Sequence, residues 1–149
     1  MNLTFIQPPQ VEWASGALAK GPLLRKSTRI QDLIEVFADE PARQQLAGEH
    51  VVYDVEMLAT SSAEGELYTG VTHLYPGHVG GEYFMTRGHF HARREQGEVY
   101  FGLRGKGLLL LQNEHGQARL ENVFAGSIHI IPGFTAHRLI NTGNEVLSA

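Results

Sequence analysis

The chain has 149 residues, 42% hydrophobic and 19% charged, the composition of a globular domain with room for one core and not of a disordered chain. Twelve Lys and Arg against 16 Asp and Glu give a formal net charge of −4, so no basic face for nucleic acid is expected. There is no cysteine, which excludes disulfides and thiolate ligands and leaves any metal to imidazole, carboxylate, carbonyl or water.

Residues 1–25 carry scattered apolar side chains and three prolines, Pro8, Pro9 and Pro22, and read as an irregular arm or short strand. No basic run followed by an apolar stretch opens the chain. No window approaches the roughly 18 apolar residues of a membrane span. A cytoplasmic location without membrane contact follows as the default. Thr28 with Gln31 has capping-box spacing, and Ile30, Leu33, Ile34 and Phe37 repeat with helical period, predicting a helix here. Pro41 ends it or restarts it as a second turn toward Leu46.

After Gly48 the texture becomes strand-like. Val51, Tyr53, Val55 and Met57 alternate, and strand-length runs follow at 66–75, 82–87, 97–104, 107–113, 117–124, 127–131 and 136–141. Separators such as Pro76-Gly77, Gly80-Gly81 and Pro132-Gly133 punctuate them. The reading is all-β, an antiparallel sandwich or barrel over 49–149, with an arm and helix (1–48) packed on it as one domain. An apolar run begins at Val146 as the sequence ends, so a strand is expected there, and the natural C-terminus is expected to lie further on.

The chemistry concentrates in Gly88-His89-Phe90-His91. On an extended segment, residues at i and i+2 face the same way, so both imidazoles share one side, as metal ligands do. A His-x-His pair is also a common solvent-facing coincidence. Glu98 opens the next strand, where a carboxylate is often simply solvated, and His137 lies on a distant strand that a barrel can bring near. A mixed N/O site of this kind favours iron, manganese, nickel or zinc. His50, His73, His78, His115 and His129 read as surface or core histidines.

Joined, the spacings resemble the two motifs of the cupin superfamily: His89-x-His91, Glu98 and, six residues on, Gly105; then Gly126, Pro132, His137 and Asn141. The resemblance implies a single jelly-roll barrel. The usual gap from second histidine to glutamate would select Glu95, but the step to Gly105 and the position on a strand select Glu98. The run from Pro76 to Ala92, with Glu98-Val99-Tyr100 and Gly105-Lys106-Gly107, further resembles the cupin-type glucose-6-phosphate isomerases, whose chains continue past this one's end. That resemblance implies metal ligation by His89, His91, Glu98 and His137. It also implies a phosphate pocket from Thr72, Thr86 and Gly88, with Arg87 shaping the field, and sugar contacts from Tyr53 and Tyr100. One divalent ion per subunit is implied, iron(II) first, with manganese, zinc or nickel as alternatives, as are a phosphorylated-sugar substrate and a homodimer.

Aldose–ketose isomerisation moves hydrogen between C1 and C2. Glu98 is the candidate base; the alternative is a hydride shift with Glu98 as ligand alone. A cupin dioxygenase with the same three histidines and glutamate is the rival reading, and a non-catalytic phosphosugar-binding cupin the third.

Overall fold

Alternation of apolar and polar side chains sets this architecture, and the computed structural model, which describes residues 1–149, follows it through thirteen short strands. In the arm, β1 (Gln10–Val11) pairs with β2 (Leu18–Ala19). Next come β3 (Leu23–Arg29), β4 (Val51–Leu58) and β5 (Gly70–Leu74), then a hairpin of β6 (His78–Val79) and β7 (Glu82–Tyr83). After these follow β8 (Glu98–Phe101), β9 (Lys106–Asn113), β10 (Ala118–Phe124), β11 (Ile128–Ile131), β12 (Thr135–Asn141) and β13 (Leu147–Ser148).

All pairings are antiparallel. One layer runs β13-β5-β4-β3; the other is β10-β9-β12, and β11 pairs with β8. The extended segment 84–89 lies along β12 through bridges Met85–Ile140 and His89–His137, while Arg104–Ser148 ties the turn before β9 to β13. The result is an all-β jelly roll. Leu74 and Leu147 from the first layer meet Leu109, Leu111 and Leu139 from the second, all fully or almost fully buried. Each such side chain contributes roughly 1.5–3 kcal/mol. Asn141 also crosses the layers: its amide donates to the Leu74 and Glu145 carbonyls at 2.9 and 2.8 Å, and its oxygen accepts from Gly143 N–H at 2.9 Å. A fully bonded buried amide like this fixes one arrangement of the strands.

The helix predicted from Thr28 to Phe37 does not form. Thr28 lies within β3, a bulge separates it from Arg29, the strand's last residue, and only a 3-10 turn (Ile30–Asp32) succeeds it. The N–H groups of Ile30 and Gln31 donate to the carbonyls of His50 and Gly48, which ties the segment to the chain before β4, and the Leu33 and Val36 N–H groups close separate three-residue turns onto Ile30 and Leu33 instead of helical bonds. The left-handed Glu35 (φ 62°) then breaks any continuation. Ile30, Leu33 and Phe37 are buried all the same, because successive tight turns also bring i, i+3 and i+7 to one side. The short helix α1 instead spans Glu40–Gln45, with Pro41 in its first turn and Asp39 accepting from Ala42 N–H at 3.0 Å. This is the restart at Pro41. β3 escaped prediction because its alternation is blurred by Arg25, Lys26, Ser27 and Thr28; it is an edge strand, where charges ward off further pairing. No helix is long and apolar enough to cross a membrane.

Candidate metal centre

Strand pairing assembles the histidines. Segment 84–89 runs beside β12, so His89 and His137 face each other across an isolated bridge, His137 N–H donating to the His89 carbonyl at 3.2 Å. His91 follows two residues on. One ring nitrogen from each of His89, His91 and His137 falls within 4.8 Å of the others. Glu98, first residue of β8, brings Oε2 to 2.8 Å from His91 Nε2 and 3.0 Å from His137 Nε2. Glu95, the other carboxylate weighed for this place, points away and pairs with Arg93 at 3.5 Å in solvent.

The hydrogen bonds assign the lone pairs. His91 Nδ1 lies 2.7 Å from the Gln96 carbonyl, an acceptor only, so Nδ1 carries the hydrogen and the Nε2 lone pair of the neutral ring points into the cluster. There it meets His137 Nε2 at 3.2 Å and the Glu98 oxygen at 2.8 Å. Lone pairs this close need positive charge between them, either a proton or a metal ion. With metal–ligand bonds of about 2.1 Å, adjacent ligands at right angles stand about 3.0 Å apart, so these spacings fit a common ion. The group of mutually close nitrogens comprises the three imidazoles, a donor set that suits a divalent transition metal; Glu98 stands against His91 and His137, and the Gln96 carbonyl orients His91.

The local field agrees. Burial lowers the His89 pKa, and the nearby His137 and His91 lower it further, favouring the neutral, ligating form. At His91 burial pulls down, but the Gln96 carbonyl and Glu98 outweigh it and raise the pKa. Burial pushes Glu98 up, yet His137 and His91 overcome that and hold it below the usual carboxylate value. Tyr100 stands edge-on to His137, ring centroids 5.3 Å apart, and burial together with Glu98 and Tyr53 raises its phenol.

The remaining candidates are placed as follows. The Tyr53 hydroxyl accepts from Arg87 N–H at 3.4 Å. Thr86 Oγ1 accepts from Leu139 N–H at 3.0 Å, and Gly88 lies between Thr86 and the first histidine. Thr72 pairs in register with Val55, two residues from Tyr53 along β4. Tyr53 and Val55 line a cavity of about 290 Å³ with Lys26 and Thr28. Arg87, expected to shape a phosphate field, sends its guanidinium to the Asp32 carbonyl. Among the set-aside histidines, His73 bridges Glu56 and Ser148, and His129 bridges Glu121 and Ser127. One contact escaped the sequence reading: Gln96 acts through its backbone, which leaves no trace in residue type.

The glucose-6-phosphate isomerase family model matches residues 27–148. The glucose-6-phosphate isomerase of Thermococcus litoralis is 44% identical over 119 residues, 78% of this chain and 63% of that one. That of Pyrococcus horikoshii is 40% identical over 138 residues, covering 91% and 72% of the two chains. A putative glucose-6-phosphate isomerase 2 of Rhizobium meliloti is 40% identical over 141 residues, covering 93% and 70%. The chain thus spans less than two thirds of the length of the Thermococcus litoralis and Thermococcus kodakarensis relatives, 63% and 62%. Among solved structures, Bacillus subtilis oxalate decarboxylase superposes with a TM-score of 0.53 at 21% identity over 70% of this chain and 26% of that one. The Drosophila melanogaster CENP-C cupin domain gives 0.50 at 13%, over 70% and 68%. These two likenesses establish a cupin fold and nothing further.

Proposed function

Because this chain belongs to the glucose-6-phosphate isomerase family, we propose that it interconverts glucose 6-phosphate and fructose 6-phosphate at the histidine cluster. The observation that carries the reading is the convergence of His89, His91 and His137 on the Glu98 carboxylate side of the barrel. These four residues would hold one divalent ion, iron(II) first, with manganese, zinc or nickel as alternatives. When bound, it supplies Lewis acidity, polarising the sugar carbonyl and lowering the barrier by several kcal/mol.

The chain's own residues do the rest. Both short contacts of Glu98 use Oε2, so Oε1 has no protein partner and can reach substrate. Held below the usual carboxylate range, Glu98 is ionised at neutral pH, able to accept a proton at one carbon and return it at the next. Tyr100, its phenol raised, stays protonated and donates to a sugar oxygen, with Tyr53 beside it. Thr72, Thr86 and Gly88 receive the phosphate. The Thr86 oxygen already accepts from Leu139, which leaves its own hydrogen to donate outward. The other route shifts hydride directly between C1 and C2 and uses Glu98 as ligand alone. Turnover in deuterated water separates them: label at C1 or C2 supports proton transfer by Glu98, and none over many turnovers supports the shift.

The deciding assay strips the protein with a chelator, restores iron(II) or manganese, and offers fructose 6-phosphate without oxygen. Glucose 6-phosphate formation supports the isomerase. Oxygen uptake on a phenolic or thiol substrate would make it a dioxygenase, and phosphosugar binding without turnover a binding protein. A cytoplasmic homodimer completes the reading. The outer face of β8 and β11 presents Val99 opposite Ile130 and Phe101 opposite Ile128, all exposed, an apolar patch suited to a second copy. Sedimentation tests this: Ile130→Lys is expected to shift the protein to monomer.

A further inference from the structure

Arg138 holds the one buried side-chain nitrogen or oxygen in the molecule that lacks a hydrogen-bond partner, its Nε. Its only bonded contact is Nη1 to the Met85 sulfur at 3.3 Å, a weak acceptor, and no carboxylate pairs with it. The Glu82 carboxylate acts on the guanidinium only through space and forms no ion pair with it, so Nε stays buried and unbonded, which is costly to the fold and needs a reason. The surroundings supply one. The guanidinium lies across Gly88: a Cβ there would come within 3.1 Å of Nε and 3.2 Å of Nη2. The Gly88 N–H donates to no acceptor in the protein. Thr86, two residues earlier, is tied to Leu139, the residue after Arg138. Three kinds of donor therefore lie along this stretch: a guanidinium nitrogen without a partner, a free amide and a hydroxyl. Nearby Arg87 is engaged by the Asp32 carbonyl.

We propose that Arg138 is the cationic element of the phosphate subsite, binding the dianionic end of the sugar phosphate together with Gly88 and Thr86. Thr72, Thr86 and Gly88 contribute neutral donors only; a fork-shaped cation is what turns such a site toward phosphate over a plain hydroxyl. On this account Gly88 is glycine for two reasons: its amide faces the anion, and its missing Cβ makes room for the guanidinium.

The inference rests on the phosphosugar reading above, and the test separates the two. The metal-reconstituted protein is titrated calorimetrically with sorbitol 6-phosphate, which cannot be isomerised, and with sorbitol. Wild type is expected to bind the phosphate ester and not the polyol; equal weak binding of both would overturn the phosphosugar reading itself. Arg138→Met keeps the side-chain bulk against Met85 and removes the charge, and is expected to weaken sorbitol 6-phosphate about 30-fold. Arg138→Lys, which keeps the charge in the same cradle if the methionine variant does not fold, is expected to fall between. If a folded variant binds the ester as tightly as wild type, while wild type discriminates, Arg138 has only a packing role.

Discussion

One imidazole–carboxylate cluster has Glu98 on β8 and His137 on β12, another has His129 on β11 and Glu121 on β10, and they differ in how completely their atoms are satisfied. Tyr100, which touches the candidate metal centre, pairs in register with His129, which anchors the other cluster. His129 is 4% exposed, with Nδ1 2.7 Å from Glu121 and Nε2 2.8 Å from Ser127. Ser127 in turn bonds both backbone groups of Phe124, at 2.8 and 3.0 Å. Every polar atom of that ring has a protein partner, so the cluster has nothing left with which to bind or react, although Glu, His and Ser in a row have the outline of a nucleophile relay. At the other centre the ring nitrogens turn toward one another, His91 and His137 at 3.2 Å, and Glu98 keeps one oxygen unbonded. Unsatisfied, convergent atoms are what a binding site needs; saturated ones suit a strut.

The sharpest way to break this contrast is to delete one histidine from each cluster. His137→Ala is expected to abolish stoichiometric metal and to cut kcat/KM by more than 100-fold, since even outer partners of ligands are worth about 10–100-fold. Metal analysis alongside the isomerase assay checks it. Retained metal and rate would mean that the convergent nitrogens are structural after all. Glu98→Gln comes next: kcat is expected to fall about 100- to 10,000-fold with KM little changed if the carboxylate carries the proton. A loss of metal without that split would make Glu98 a ligand only.

Sequence told the two clusters apart only in part. His89, His91 and His137 stood out through motif spacing, and Glu98 over Glu95 through the step to Gly105, because those spacings encode strand register and turn length directly. The closed state of His129 was not readable, since it depends on Glu121 in β10 crossing to β11, a contact that no local pattern announces. The strands after residue 50 were legible from turn residues and alternation. The Thr28–Phe37 helix was misread because successive three-residue turns, Leu33 N–H to Ile30 and Val36 N–H to Leu33, bury Ile30, Leu33 and Phe37 with nearly helical spacing while leaving Ile34 exposed. Arg138 escaped because a missing partner is a fact of three dimensions.

A smaller effect is expected from the strut. His129→Ala removes a buried ring and leaves Ser127 with one partner fewer, costing about 1–3 kcal/mol of stability. Chemical denaturation should show the loss, while kcat/KM of the folded fraction stays at wild type. A fall in kcat/KM beyond a few-fold would show that the two clusters are coupled through the Tyr100–His129 pair.

The smallest effect is the most specific. The His129 ring holds the Glu121 carboxyl below its usual value, overcoming burial, which pushes it up, and Arg119 at 2.9 Å adds to the lowering. A carboxylate whose folded pKa is depressed binds fewer protons folded than unfolded, so its contribution is complete above the ordinary value and fades as pH falls through the folded one. Melting curves should therefore show wild type losing stability below the ordinary glutamate value of 4.5 by more than Glu121→Gln does, with the two running parallel at neutral pH. Glu121 is partly in solvent, so the gap should be modest and shrink with salt. If the gap is instead absent at every salt concentration, the Glu121–His129 contact is geometry without energy, and Ser127 alone closes the ring.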